Sequence, residues 1–358
     1  MDLKRALKLL KKDVWAQISA AYISLVIFIA VFAYQISPDK TENANQMHLS
    51  IHSQEPGFTC LLLTIPRNNS IVSNSFFNGK INANDEVPVK EISWGIDGIL
   101  FKRYGNATDY YEKVSYKEFP IGIDKNEIER KYLKKKTFIL GTDKFGRDFL
   151  SRLIIGSRVS ISIGFIAVII SLVLGIFFGA VAGFYGGWLD KLIIGFINII
   201  WSVPTLLMVI AITLALGKGF WQVFVAVGIT MWVEVARLVR GQVKLTKEEF
   251  YIKAGEVLGF SKRRLLINHI LPTTIGPLII ISAANFASAI LMESGLGFLG
   301  IGAQPPTPTW GGMVKNNFNY LLLGKPYLTI LPGFAIMILV LSFMTLGNRI
   351  RDALDVKG

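Results

Sequence analysis

The stretch KEEFYIKAGEVLGFSKRRLLINHILP, residues 247–272, is the only long, strongly charged, helix-forming segment in an otherwise almost continuously apolar second half. Its pattern predicts two short amphipathic helices, 247–258 and 261–270, separated by Gly259 and ended by a proline. Ser261 is placed to cap the second helix, because a serine hydroxyl accepts from free N–H groups of a first turn. We call residues 247–272 the elbow and expect it to lie outside the membrane.

Two features of the elbow indicate a partner. Cations at 262–264 open the second helix, where the helix dipole disfavours positive charge, so an acidic partner or lipid headgroups are expected there. Ala254, Gly255 and Gly259 predict a low-profile patch that another protein surface could approach closely. A basic amphipathic linker lying on the membrane surface is the alternative that these residues leave open.

Composition excludes several classes of protein. The 358 residues are 52% hydrophobic and their mean hydropathy is +0.47, which is too apolar for an ordinary soluble protein. The net charge of +13 comes from basic residues that flank apolar spans, so membrane topology explains it better than nucleic-acid binding does. The single cysteine, Cys60, excludes a disulfide framework within the chain and a multi-cysteine metal site.

Neither a metal nor a nucleotide cofactor is expected in this chain. His48, His52 and His269 are scattered; His48 and His52 are four residues apart, and without a third ligand we expect both to be solvated loop residues. The segment around Gly217 lacks the upstream glycine and the hydroxyl residue of a phosphate-binding loop. No nucleophile motif or pair of catalytic acids stands out, so the chain is not expected to be an enzyme.

Six charge-poor stretches are long enough to cross a bilayer, which takes about 20 apolar residues. The first is longer than the apolar region of a typical signal peptide and is interpreted as a retained span. Pro204 predicts a kink in the third, and six spans put both termini and the elbow on one side, together with the basic N-terminal lead and most of the basic residues near the spans. The predicted spans are 14–37, 159–185, 192–216, 220–239, 275–299 and 327–346.

The chain divides into three parts. Residues 1–37 are a cytoplasmic lead and the first span, 38–140 a polar outer insert, and 141–358 a five-helix core that contains a coupling loop at 241–272. Within the insert the most apolar run, 58–65, is too short to span, and the aromatic residues that follow predict a small folded module rather than a nucleic-acid surface. The composition of the insert does not indicate its purpose.

The insert leads into GTDKFGRDFLSRLIIGSR, residues 141–158. Thr142 or Asp143 is placed to cap an amphipathic helix whose apolar residues lie on one side, which predicts an interfacial helix before the second span.

These stretches resemble the permease subunits of ABC transporters. Ala254-Gly255, Gly259 and then Ile270-Leu271-Pro272 resemble the cytoplasmic "EAA" loop of that family, although Lys253 stands where the name-giving glutamate would be. The run ending in His-Ile-Leu-Pro and the segment 141–158 resemble the branch that moves dipeptides, oligopeptides and nickel. The resemblance implies that the elbow couples to an ATPase through Lys253, Ala254, Gly255, Gly259, Ile270, Leu271 and Pro272.

The resemblance also implies a fold and a set of partners. The fold is an all-α, six-span permease of a type I ABC importer in a bacterial inner membrane. The partners are a second permease, two ATPase subunits that hold ATP and magnesium, an outer substrate-binding protein and membrane lipids. Peptides are the expected cargo; nickel or a metal chelate is the alternative within the family. An ion-driven secondary transporter and a membrane-anchored sensor are hypotheses from other classes.

Glu293 is the ionisable residue best placed inside a span, near the outer end of the fifth. Such residues usually face the interior of a helix bundle or an aqueous path. The sequence leaves two interpretations open: a gate or cavity residue of the translocation path, or a packing residue bonded to a neighbouring helix.

Overall fold

The computed structural model describes residues 9–66, 74–80, 84–105, 110–120, 124–217 and 219–355. Lys4, Arg5 and Lys8 of the basic lead, and Lys357, lie outside the described residues. The helices are α1 (Val14–Val31), α2 (Ala33–Ile36), α3 (Lys125–Tyr132), α4 (Phe149–Tyr185), α5 (Gly187–Trp201), α6 (Thr205–Leu216), α7 (Phe220–Lys247), α8 (Phe250–Val257), α9 (Lys262–Arg264), α10 (Ile275–Leu299), α11 (Trp310–Asn317) and α12 (Tyr327–Asp355). The strands are β1 (Phe58–Ile65), β2 (Asn74–Ser75), β3 (Gly79–Lys80), β4 (Asp85–Trp94), β5 (Gly98–Arg103), β6 (Glu112–Ser115) and β7 (Leu133–Phe138).

Five helical stretches among the described residues are long and apolar enough to cross a membrane. They comprise α1, α4, α7, α12 and the helical run that includes α10. The predicted third span is instead two helices, α5 and α6, bent by 90° at a short break. Pro204 sits at this break as the residue before α6, because it has no N–H to donate and disfavours helical backbone in the residue before it. The predicted kink is therefore a full interruption.

Two helix boundaries differ from the prediction. The amphipathic helix before the second span is continuous with that span as α4, and its cap is Asp148, whose Oδ1 accepts a hydrogen bond from the backbone N–H of Ser151 at 2.7 Å. Neither Thr142 nor Asp143 caps it. Helix α7 continues to Lys247, well beyond the predicted end at 239, because its last turns remain packed against α4.

Glycines bring α4 and α7 into close contact. Gly179 lies against Ala236 and Val239, where a Cβ on the glycine would stand 2.8 Å from the Cβ of Val239. Gly183, one turn later, lies in the same way against Val243. Small residues let the backbones of membrane helices approach, and these glycines of the second span have that packing role. Residue numbers increase together along the two helices at these contacts, so α4 and α7 are parallel.

The chain termini that the structure describes lie at the same end of the bundle as the elbow. Arg349, near the end of α12, forms an ion pair with Asp13 before α1, with an N–O distance of 3.4 Å. Gly347 packs against α10 close to the start of that helix. The Nζ of Lys247 donates to the carbonyl oxygen of Phe184 at 2.8 Å, which joins the ends of α7 and α4. We call this the elbow end and the opposite one the insert end.

The insert contains a five-stranded antiparallel sheet of order β6-β5-β4-β1-β7, so the all-α prediction is wrong for this part of the chain. The apolar run 58–65 is β1, which pairs with β4 on one side and β7 on the other. A short apolar run between polar stretches suits a buried strand. Helix α3 covers the sheet through Ile128, which is buried with Leu63 and Ile99 in one core.

The segment between α1 and β1 is packed and not a free loop. His48, expected to be solvated, is only 3% exposed, whereas His52 is exposed as expected. The backbone N–H of His48 donates to the carbonyl of Phe145 at 3.1 Å, and its Nε2 lies 3.7 Å from a carboxyl oxygen of Glu86. Burial, together with the nearby positive charge of Lys136, lowers the pKa of His48 to about 4.

Candidate functional site

The elbow reverses the chain between α7 and α10. Helix α8 follows directly on α7, and Gly259 then adopts a φ of +78°, a left-handed conformation that glycine takes at little cost. The Oγ of Ser261 accepts from the backbone N–H of Arg264 at 3.3 Å. The glycine break and the serine cap predicted from the sequence are both confirmed.

The two elbow helices have other bounds than predicted. The first, predicted over 247–258, is α8 and begins at Phe250, because Lys247 still belongs to α7. The second was predicted to stop before Pro272. Instead the helical backbone continues from α9 through a π-helical turn, Leu265–Ile270, and a 3₁₀ turn, Leu271–Thr274, into α10. Pro272 is tolerated because it occupies the first turn of that 3₁₀ segment.

A small apolar core holds the elbow to the bundle. Ile252 of α8, Leu265 and Ile270 are buried in one cluster with residues of α4 and α7. Gly255 is buried in the same place, where a Cβ would stand 2.9 Å from the Cδ2 of Leu265 and 3.2 Å from the Cδ2 of Phe260. The small size of Gly255 therefore serves packing within the elbow rather than the approach of a partner.

The remaining predicted coupling residues are more accessible. Ala254, Gly259 and Pro272 are exposed and Leu271 is half-buried. Lys253 is exposed and its Nζ lies 2.9 Å from the carboxylate of Glu248. The hydrogen bond from Lys253 lowers the pKa of Glu248, so the lysine is engaged within the elbow.

Three large apolar side chains at the tip of the elbow escaped the sequence analysis. Phe250, Val257 and Leu258 are 90%, 88% and 73% exposed. They lie off the face of α8 that buries Ile252, so the sequence does not reveal their exposure until that buried face is known. Exposed apolar groups gathered at one place mark an interaction surface. We call these three residues the apolar tip.

The bundle beneath the elbow is fixed by an ionic cluster. Asp190 of α5 accepts from the guanidinium of Arg240, and its Oδ2 accepts from the Nζ of Lys244 at 2.6 Å. Both cations belong to α7, so the cluster ties α5 to α7 at the elbow end.

The segment 141–158 forms a second ionic cluster at the insert end. Asp143 accepts from the backbone N–H and the guanidinium of Arg147, at 3.0 and 2.7 Å, and lies 3.7 Å from the Nε of Arg152. Arg147 also donates to the Oδ1 of Asn45 at 3.0 Å, and Arg152 to the carbonyl of Pro306 at 3.3 Å. Asp143, predicted as a helix cap, is instead the centre of a network that joins the insert, α4 and the loop before α11.

Glu293 is completely buried near the insert end of α10. The hydroxyls of Thr309 and Ser160 lie beside its carboxyl group, but neither oxygen completes a well-formed hydrogen bond with a described residue. Nor does any group of three or more His, Cys, Asp or Glu residues in the described part of the chain have an arrangement that could hold a metal ion.

The fold defines a class: a multi-pass membrane protein with an ionic cluster at each end of its described helices. Residues 171–357, more than half of the chain, match the family described as the binding-protein-dependent transport system inner membrane component. The chain belongs to this family. It is a multi-pass inner membrane protein and the permease component of its transport system, not the ATPase.

Curated relatives agree with that assignment. The dipeptide transport system permease protein DppC of Alkalihalophilus pseudofirmus is 40% identical over 61% of this chain and 71% of its own. The oligopeptide permease OppC of Bacillus subtilis is 37% identical over the same shares. The glutathione permease GsiD of Pectobacterium atrosepticum is 36% identical over 61% and 72%. The resemblance drawn from the elbow and from segment 141–158 is confirmed.

Solved structures of ABC transporters are also similar at a low level. A chain of an amino acid ABC transporter with histidines aligns with a TM-score of 0.45 at 15% identity, over 57% of this chain and 94% of that one. A chain of the MetNI methionine ABC transporter aligns with a TM-score of 0.43 at 18% identity, over 56% and 96%.

Proposed function

We propose that this chain is one of two permease subunits of an ATP-driven importer of di- and oligopeptides, coupled to ATPase subunits through its elbow. An outer binding protein delivers the cargo, and closure of two ATPases tilts the paired bundles between outward and inward access. The relatives named for dipeptide, oligopeptide and glutathione transport support a peptide cargo over the nickel alternative.

The direction of the helices supports six crossings, the number that the proposed type I importer fold requires. Since α4 and α7 run parallel, the segment between them must return the chain to the side on which α4 began. That segment is the bent pair α5–α6, which then counts as the third span. The bundle accordingly has both termini and the elbow on one side, which we assign to the cytoplasm.

The observation that carries the coupling role is the apolar tip on a fixed support. Phe250, Val257 and Leu258 are exposed, whereas Ile252 and Gly255 on the other side of α8 are packed against the bundle. A helix that is packed against the bundle on one face and exposes apolar groups on the other can transfer the movement of a bound partner to the bundle. The ATPase contact therefore includes the tip beside Lys253, Ala254 and Gly259.

Ile270, Leu271 and Pro272 have a different part in this proposal. They lie in the continuous helical backbone that leads into α10, so they connect the elbow to a span and do not form its contact surface. Glu293 acts at the other end of α10 as a polar packing residue beside Thr309 and Ser160, because a fully buried carboxyl does not line an aqueous path. The parts 1–37, 38–140 and 141–358 remain our division of the chain.

Leu258→Asp tests the docking role. The change puts a charge on the apolar tip without disturbing a buried contact, so we expect the ATPase to be lost on co-purification while the second permease is retained. Leu322→Asp is the matched control, because Leu322 is 92% exposed but lies at the insert end. Equal recovery of the ATPase with both variants would reject docking at the tip.

Uptake in proteoliposomes tests the cargo. The complete transporter with its binding protein should accumulate labelled di- and tripeptides and not nickel. Nickel uptake without peptide uptake would replace this proposal by the metal alternative.

A further inference from the structure

Glu234 is a charged residue in an unexpected position. It lies in α7, which qualifies as a span, and its side chain is exposed on the surface of the bundle. Among the described residues it forms neither a hydrogen bond nor an ion pair. A bare carboxylate facing lipid is strongly disfavoured, so this face of α7 is covered by protein or by water.

The parallel register with α4 gives the depth of Glu234. Gly175 packs against Val235, the residue after Glu234, and Gly179 against Ala236 and Val239. Glu234 is therefore level with the middle of the charge-free run 159–185. Its carboxylate therefore lies within the depth that α4 crosses without a charge.

The break between α5 and α6 lies at a similar depth. Trp201, the last residue of α5, stacks on the guanidinium of Arg237 with 3.7 Å between the guanidinium carbon and the ring centroid. Ser202 and Val203 in the break are exposed. Irregular backbone at membrane depth is tolerated only where protein buries it or water reaches it, and discontinuous helices often mark the substrate site of a transporter.

Glu234 and Arg237 form no direct ion pair with each other in the structure. Arg237 is three residues further on, about 60° round the helix, and donates to the Oδ1 of Asn198 while it stacks on Trp201. Glu234 is left as an acceptor without an ion-pair partner, beside a cation whose Nε also has no hydrogen-bond partner among the described residues. A zwitterion with a free ammonium group has the charges that complement this pair.

We propose that Glu234 lines the translocation path and accepts the α-ammonium group of the peptide in transit, next to the break in the third span. This inference rests on the proposed peptide transport. The partner is a cargo and not a fixed counter-charge, because the carboxylate lies beside exposed, irregular backbone at the same depth.

Transport by the complete complex tests the role. In proteoliposomes with the binding protein, Glu234→Gln should lower peptide uptake per ATP hydrolysed at least tenfold, and Glu234→Asp should retain most of it. Glu129→Gln is the matched control, since Glu129 is an exposed glutamate of α3 in the insert. Equal uptake with Glu234→Gln and wild type overturns the inference but leaves peptide transport intact. No peptide uptake by wild type overturns both.

Accessibility gives a second measurement. Glu234→Cys should react with a water-soluble thiol reagent, as expected for a side chain that lines an aqueous path. The native Cys60 is a suitable background, because burial raises its pKa to about 11 and leaves little thiolate at pH 7.5. No reaction at position 234, or loss of the second permease on purification of Glu234→Gln, would overturn the inference in favour of a sealed subunit contact.

Discussion

At the insert end, Asp143, Arg147 and Arg152 are charged and buried, whereas at the elbow end the large side chains of Phe250 and Val257 are apolar and exposed. Each arrangement reverses the usual distribution of polar and apolar residues. Buried charges that are paired fix three segments to one another at the insert end. The exposed apolar groups at the elbow end are the surface that the proposed function assigns to the ATPase. The insert end is therefore built as a scaffold, and we propose the elbow end as a contact.

The sharpest test of this contrast is Asp143→Asn. The change leaves two guanidinium groups buried without their counter-charge, so we expect the free energy of unfolding to fall by about 3–5 kcal/mol. Thermal unfolding of the purified protein in detergent would measure it. Asp97→Asn is the control, because Asp97 pairs with Lys113 at an exposed site and exposed pairs contribute little. A small, equal effect of both changes would contradict the scaffold.

The buried His48 predicts a pH dependence of the insert end. Its pKa of about 4 lies below the ordinary value of about 6.5, so the folded state prefers the neutral ring. The stabilisation that the neutral ring provides is fully present above pH 6.5. It is lost as pH falls towards 4, and the free energy of unfolding then drops by about 3 kcal/mol in all. Melting curves between pH 7.5 and 4.5 should show wild type losing stability faster than His48→Gln. Parallel curves would mean that the ring is solvated.

Gly179→Ala probes the contact between α4 and α7, midway between the two ends. A methyl group there would stand 2.8 Å from the Cβ of Val239, so overpacking should cost about 1–3 kcal/mol. Gly195→Ala in α5 is the matched control, since a Cβ at Gly195 meets no atom within 4 Å. Melting temperatures of the two variants would separate them, and equal values would remove the argument for close parallel packing.

The smallest effect is expected for Lys253→Ala. Lys253 and Glu248 form the same kind of contact as Arg147 and Asp143, but both partners at the elbow are exposed. We expect no measurable change in the melting temperature. A clear fall would show that the elbow is held by charge and not by Ile252 and its apolar neighbours.

Local chemistry made part of the elbow predictable. Gly259 and Ser261 act within a few residues of themselves, through a left-handed φ and a single hydrogen bond, and both were found from the sequence. The ends of the elbow helices were not predicted correctly, because Lys247 and Pro272 take their conformation from the packing of α7 and α10. The apolar tip is visible only once the buried face of α8 is known.

Prediction of the insert from the sequence was limited for a different reason. The apolar run 58–65 indicated only that the segment cannot span, since its pairing with β4 and β7 depends on residues far along the chain. The spacing of Asp143 and Arg147, four residues apart, was a readable sign of an ion pair. Its burial depends on Asn45 and Pro306, which no local pattern connects to it.

The pairing of β1 with β7 places Phe58 opposite Phe138, so the polypeptide leaves for the sheet and comes back at neighbouring positions, about 5 Å apart. Such a closed excursion could be lengthened, exchanged or shed during evolution while the segment carrying Asn45 and His48 stayed docked on α4. The sheet can thus change in sequence and size without altering the helices that cross the membrane.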